Sequence, residues 1–107
     1  MKQKMEIIQR FIDGMLILTN EVVVIKDIGY ETIWMDMDEI DDNIIPQKIV
    51  SSLGNPVITC SANYTDSNGE YYLYIAIDRK KIDLNPFEVW FKNGEIIPNP
   101  FDQQNPL

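Results

Sequence analysis

The densest chemistry-bearing feature of this chain is a run of carboxylates. Asp36, Asp38, Glu39, Asp41 and Asp42 follow one another closely, and Asp27 and Glu31 extend the run backwards with no Lys or Arg between them. Clustered carboxylate oxygens are what a hard cation such as calcium or magnesium requires. The spacing does not match the helix-flanked calcium loop, however. With Asp36 in first position, Ile40 stands where an oxygen ligand belongs, Asp41 where the turn glycine belongs, and Gln47 where the bidentate glutamate belongs. The run therefore reads as a solvated acidic edge near a helix start, where negative charge is mildly favourable. Its second use is complementarity to a basic surface on another protein. No metal and no cofactor are expected.

Tyr72 and Tyr74 are the second candidate. Strand alternation sends them to the face opposite Leu73 and Ile75, beside Thr59, Ser61 and Asn63. A face mixing aromatic rings and hydroxyls suits protein recognition, because tyrosine supplies contact area with little side-chain entropy to lose. The competing reading is that a helix covers this face, or that the tyrosines only stabilise the sheet across strands. Cys60 alternates onto the apolar side with Ile58 and Ala62 and has no base next to it, so it reads as a small buried hydrophobe. Trp34 and Trp90 suit core and interface equally. Arg79, Lys80 and Lys81 read as a charged hairpin connection.

Most catalytic devices are missing from the composition. There is no histidine, so no Ser-His or Cys-His pair and no imidazole metal ligand, and one cysteine makes neither a zinc cluster nor an internal disulfide. No glycine-rich phosphate loop occurs. The formal charge of −8 disfavours nucleic acid and anionic membranes as direct partners. The single cysteine, with no signal-peptide core and no apolar stretch long enough to span a bilayer, points to a reducing, cytoplasmic setting.

The elements that must hold these residues follow from periodicity. Met5, Ile8, Phe11, Ile12, Met15 and Leu16 recur at helical spacing, which predicts an amphipathic first helix. Gly14 either caps that helix or is tolerated inside a helix reaching Leu18, and the longer helix is favoured. Residues 21–28, dense in β-branched side chains, and residues 30–35 predict two antiparallel strands joined at Gly29. Pro46 suits the first turn of a short central helix over 46–53. Asn68-Gly69 between 57–64 and 70–78 predicts a type I′ hairpin, which pairs Tyr64 with Leu73, Ala62 with Ile75 and Cys60 with Ile77 on one face, and Asn63 with Tyr74 and Thr65 with Tyr72 on the other. Asn93-Gly94 predicts a further hairpin between 87–92 and 95–97, kept short and peripheral by Pro98 and Pro100. Residues 99–107 read as a frayed tail that Phe101 or Leu107 anchors.

Together these features predict one α+β domain over 1–107: an antiparallel sheet of four to six strands, an N-terminal amphipathic helix and a short central helix. The expected function is non-enzymatic. A small acidic protein docks on a larger, basic-surfaced protein and inhibits or adapts it, in the manner of an immunity protein or a phage anti-defence inhibitor. Its partner-binding residues are Asp36, Asp38, Glu39, Asp41, Asp42, Tyr72 and Tyr74. The alternative expectation is an assembly subunit, a homo-oligomer built by edge-strand pairing within 87–97.

Overall fold

The computed structural model describes residues 2–36, 39–40, 57–77 and 87–102. Helix α1 (Lys2–Thr19) leads through a 3-10 turn (Ile25–Asp27) into strand β1 (Gly29–Met35), followed by β2 (Val57–Asp66), β3 (Gly69–Ile77), β4 (Phe87–Lys92) and β5 (Glu95–Ile97). The strands form one antiparallel sheet in the order β1-β2-β3-β4-β5. The class is α+β, with α1 laid on one sheet face. The expected central helix over 46–53 lies outside the described residues, and the additional helical element within them is the 3-10 turn.

Helix α1 passes through Gly14 and ends at Thr19, as the longer reading required. Asn20 takes the left-handed conformation (φ 62°) and its N–H bonds the carbonyl of Leu16 at 2.8 Å, while Thr19 Oγ1 donates to the carbonyl of Met15 at 2.8 Å. These bonds satisfy carbonyls that the helix end would otherwise leave orphaned. The buried stripe differs from the hydrophobic pattern. Ile7, Ile8, Phe11 and Met15 are buried, but Met5 and Leu16 are exposed. The stripe also includes buried Gly14, which apolar periodicity does not count: a Cβ there would lie 2.2 Å from Cη2 of Trp90. Trp90 stacks on Phe11 (ring centroids 5.7 Å apart, 6° between planes) and meets Phe101 at 6.2 Å. Helix, sheet and C-terminal segment thus share one aromatic core, completed by Cys60, Ala62, Tyr71, Leu73 and Ile75. The indole Nε1 has no hydrogen-bond partner among the described residues, a desolvation penalty of about 1–3 kcal/mol that the ring contacts must offset.

Two expectations about pairing are corrected. Residues 21–28 form no strand: Asp27 N–H bonds the Val24 carbonyl and Ile28 N–H the Ile25 carbonyl, which closes a turn and leaves Val22, Val24 and Ile25 exposed. Strand β1 pairs with β2 instead, setting Tyr30 against Ala62 and Thr32 against Cys60, so larger side chains sit beside small ones. In the β2–β3 hairpin the turn is Ser67-Asn68, not Asn68-Gly69. Asp66 Oδ1 accepts the N–H groups of Asn68 (2.8 Å) and Gly69 (3.1 Å), an Asx-type closure that competes with the type I′ turn. Tyr64 therefore faces Tyr71, Ala62 faces Leu73 and Cys60 faces Ile75. The slip is two residues, so every side chain keeps its expected face.

The type I′ turn appears at the other Asn-Gly pair. Asn93 and Gly94 both have positive φ (53° and 83°) between β4 and the three-residue β5, which is the peripheral arm expected before Pro98. Pro100 is buried and Phe101 packs on the core, its N–H bonding Asn99 Oδ1 at 2.9 Å, so the segment up to Asp102 is anchored rather than frayed. Residues 103–107 lie outside the described residues.

Candidate functional site

Strand alternation divides the sheet into a face under α1 and a face turned away from it. Cys60, Ala62, Leu73, Ile75 and Trp90 belong to the first. The second carries Thr59, Ser61, Asn63, Tyr72, Tyr74, Val89 and Phe91. Helix α1 therefore does not cover the tyrosines. Ser61, Thr59, Ala76 and Val89 on this second face are nonetheless buried, and Tyr72, Tyr74 and Phe91 are half-buried.

Near the hairpin turns the second face opens into a shallow groove of about 310 Å³ lined by Glu70, Tyr72, Tyr74, Phe91 and Gly94. Its geometry follows from the strand register. Tyr72 stands opposite Phe91 across the β3–β4 ladder, and their rings meet edge to face, centroids 6.0 Å apart at 83°. Glu70 precedes Tyr72 on the same side of β3. Its backbone is held on both polar groups by Asn93: Glu70 N–H donates to Asn93 Oδ1 (2.9 Å), and Asn93 N–H donates to the Glu70 carbonyl (2.8 Å). Gly69 permits this close approach, because a Cβ there would lie 2.8 Å from Asn93 Oδ1 and φ is +147°. Gly94 has nothing near its Cα that a side chain would meet, which leaves the groove open at that end. Burial pushes the Tyr74 hydroxyl above its ordinary pKa, opposed by a hydrogen bond with Thr59 and reinforced by the Tyr72 charge.

The acidic run is only partly described. Asp36 and Glu39 are exposed and tied to each other, Glu39 N–H bonding the Asp36 carbonyl (2.9 Å) and Asp36 N–H bonding Glu39 Oε1 (3.2 Å). Asp38, Asp41 and Asp42 lie outside the described residues, as does the basic triplet Arg79, Lys80 and Lys81. Asp36 follows the end of β1 that pairs with Val57, whereas Glu70 pairs with Thr65 at the far end of β2. Asp36 and Glu39 thus sit at the other end of the sheet from the tyrosine groove, with β2 between their strands. They are two surfaces, not one. Among the described residues no cluster of three or more carboxylates or cysteines is placed to hold a metal.

Of the remaining candidates, Cys60 and Trp90 belong to the core. Cys60 is buried beside Thr32, whose Oγ1 lies 3.7 Å from the sulfur. Burial also raises the Tyr30 hydroxyl pKa, with a hydrogen bond to Cys60 adding to the shift and one from Thr32 opposing it. Trp90 is a core anchor, while Trp34 on β1 is 62% exposed. Sequence reasoning missed an ion pair. Arg10 on α1 forks onto Glu88 on β4 (Nε to Oε2 2.5 Å, Nη2 to Oε1 2.6 Å), Asn99 Nδ2 bonds the same carboxylate at 2.5 Å, and the guanidinium lies 4.0 Å from the Phe101 ring centroid. Glu88 raises the Arg10 pKa through the hydrogen bond first and its charge second, while partial burial opposes it. The available signal was a lone acid on the inward parity of an apolar strand, shared with Trp90. Glu70 and Phe91 were also missed. Continuing the alternation back from Tyr72 finds Glu70, but Phe91 requires the β3–β4 register, and no turn signal sets that.

The chain has no match among family models, curated proteins or solved structures. Its chemistry is therefore read from its own side chains. Among the described residues no helix is long and apolar enough to cross a membrane. What the groove offers is aromatic surface with one carboxylate at its mouth.

Proposed function

We propose that this protein is a non-enzymatic binding module that docks on a larger, basic-surfaced protein and inhibits or adapts it, using the Tyr72 and Tyr74 face as its contact surface. The observation that carries this reading is the aromatic groove on the sheet face that α1 leaves uncovered. Half-buried tyrosines held by strand geometry lose little entropy on binding and supply the ring area typical of interface hot spots. The charge of −8 steers association toward a cationic partner, and the run containing Asp36, Asp38, Glu39, Asp41 and Asp42 contributes to that field rather than to the groove itself. Inhibition in the style of an immunity protein or a phage anti-defence protein is the form of this activity that needs nothing beyond a rigid acidic surface.

The test is to co-purify partners from the native host, identify the retained protein, and measure its affinity for the wild type, for Tyr72→Ala, and for charge reversal at Asp38, Glu39, Asp41 and Asp42. A hot-spot tyrosine is worth about 1.4 kcal/mol or more, so Tyr72→Ala should weaken binding roughly tenfold, while charge reversal should slow association in a salt-dependent way. A partner indifferent to both changes would sink the proposal.

One observation favours a second reading, assembly through an edge strand. The edge expected within 87–97 is β5, three residues long and followed by Pro98. The opposite edge is β1, seven residues long, with Ile33 and Trp34 exposed. A long apolar edge is a template for strand addition by a second copy. Light scattering separates the readings: a defined dimer abolished by Trp34→Lys supports assembly, and a monomer at high concentration rejects it.

A further inference from the structure

The groove differs from a plain apolar contact patch in one respect. A carboxylate stands at its mouth, and among the described residues that carboxylate has no hydrogen-bonding or ion-pairing partner, although its backbone is fixed on both sides by Asn93. Behind it are three rings. Tyr72 and Phe91 meet at 83°, so the edge of one and the face of the other form a corner, and Tyr74 extends the aromatic wall along β3. The faces of aromatic rings carry negative electrostatic potential, and a cation set over them gains attraction that a neutral group does not. An aliphatic occupant would bury ring surface but would also cover Glu70 without neutralising it, which is unfavourable. A volume of about 310 Å³ is at the small end for ligand pockets, enough for one side chain and too little for a nucleotide cofactor.

We infer that this groove is a subsite for a single arginine side chain of the protein partner, with the guanidinium stacked against the Tyr72, Tyr74 and Phe91 wall and bonded to the Glu70 carboxylate. Arginine fits better than lysine. Its planar, weakly hydrated head stacks on rings while its N–H fork meets a carboxylate, whereas an ammonium is a compact and strongly hydrated point charge. The overall charge of −8 favours the same sign of ligand. The inference rests on the docking reading above and names the group that would be recognised.

The experiment is an NMR titration of the whole chain with four capped amino-acid amides: N-acetylarginine amide, N-acetyllysine amide, N-acetylcitrulline amide and N-acetylnorleucine amide. The arginine probe should shift the ring signals of Tyr72, Tyr74 and Phe91 in a saturable way. It should bind about threefold to thirtyfold more tightly than citrulline, its neutral near-isostere, as an exposed cation–π contact plus an exposed ion pair allows. Glu70→Gln, a surface change whose fold is checked by the amide spectrum, should erase most of that difference, and raised salt should shrink it. Equal binding of arginine and citrulline, or no saturable shift in the groove with any probe, overturns the assignment. Lysine binding as tightly as arginine overturns the guanidinium preference. The two proposals fail separately. If norleucine or citrulline fills the groove as well as arginine while Tyr72→Ala still weakens the partner, docking stands and the cation site falls. If the arginine probe binds but the partner ignores Tyr72→Ala, the groove's selectivity for a guanidinium stands, while the docking reading and the attribution of that guanidinium to the partner fall.

Discussion

Replacing Gly14 by alanine sets two effects of known sign against each other. Inside a helix, Gly→Ala should stabilise by about 1 kcal/mol, because alanine has less backbone freedom to lose. At this position the new methyl would lie 2.2, 2.6 and 3.0 Å from Cη2, Cζ2 and Cζ3 of Trp90. To restore ordinary contact near roughly 3.5 Å, the indole must retreat by about 1 Å. It has little room to do so, being stacked on Phe11 and packed against Phe101. Overpacking a filled core costs about 1–3 kcal/mol, and a rigid ring held on two sides belongs at the upper end. Subtracting the propensity gain leaves a net loss of about 2 kcal/mol, which for a domain of this size lowers Tm by roughly 10 °C. Thermal and urea unfolding of Gly14→Ala, of Trp90→Phe and of the double variant form the assay. Phenylalanine lacks the indole atoms that clash, so in the Trp90→Phe background Gly14→Ala should become neutral or stabilising, a coupling of about 2 kcal/mol. If Gly14→Ala raises Tm in the otherwise unchanged protein, the close approach of helix and indole is wrong, and with it the account of why α1 sits where it does.

Arg10→Ala should cost about 2 kcal/mol in urea unfolding: it leaves Glu88, whose side chain is 7% exposed, without its counter-charge and held by the neutral Asn99 amide, and the figure is kept below that of a fully buried pair because Arg10 is 37% exposed. Replacing both, Arg10→Met with Glu88→Leu, should recover most of that loss, and a single-variant effect under about 0.5 kcal/mol would show the pair to be inconsequential. At alkaline pH the sign follows from the tyrosines. Burial raises the Tyr30 and Tyr74 hydroxyls above the ordinary 10.0, so the folded state favours their neutral forms; that stability is whole below pH 10.0 and is lost as pH rises through the folded values. The urea midpoint should therefore fall as pH rises past the ordinary tyrosine value of 10.0, less steeply in Tyr74→Phe, with tyrosinate absorbance rising late in the native protein. An unchanged alkaline slope in that variant would place the loss elsewhere.

Helix α1, the β2–β3 hairpin and the β4–β5 arm were legible because each is written in short-range chemistry: apolar spacing, alternation, and turn residues. The failures share a different cause. Residues 21–28 have strand composition, yet β-propensity measures fit to a half-buried pleated surface, and only Val23 of the four apolar residues 22–25 finds one. The β1 pairing lay out of reach because its partner β2 begins twenty-two residues after β1 ends, and no turn links them. The close approach of the helix to the Trp90 indole was missed for the opposite reason, since the residue that permits it, Gly14, has no side chain to count. Likewise, at Asp66 a single carboxylate accepting two backbone N–H groups moved a turn that the Asn-Gly pair alone would have set.

That displacement bears directly on the candidate site. A slip of one residue would have turned Tyr72 and Tyr74 under α1, whereas a slip of two left them outward and instead brought Tyr71 opposite Tyr64 on the helix-covered face. The same slip made Gly69 the first residue after the turn and Glu70 the second, where Asn93 from the neighbouring hairpin reaches both of the Glu70 backbone groups. The two Asn-Gly pairs consequently have different tasks. The one at 93–94 makes a type I′ turn and lends its asparagine to β3, while the one at 68–69 supplies the glycine that lets that asparagine approach. Fixing the Glu70 backbone in this way holds a carboxylate beside the rings before any ligand arrives, which reduces what binding must order. Loosening this clamp with Asn93→Gly, which keeps the turn but removes the amide, should therefore weaken arginine-probe binding while leaving Tyr72 and Phe91 in contact; unchanged binding would mean that Glu70 needs no such support.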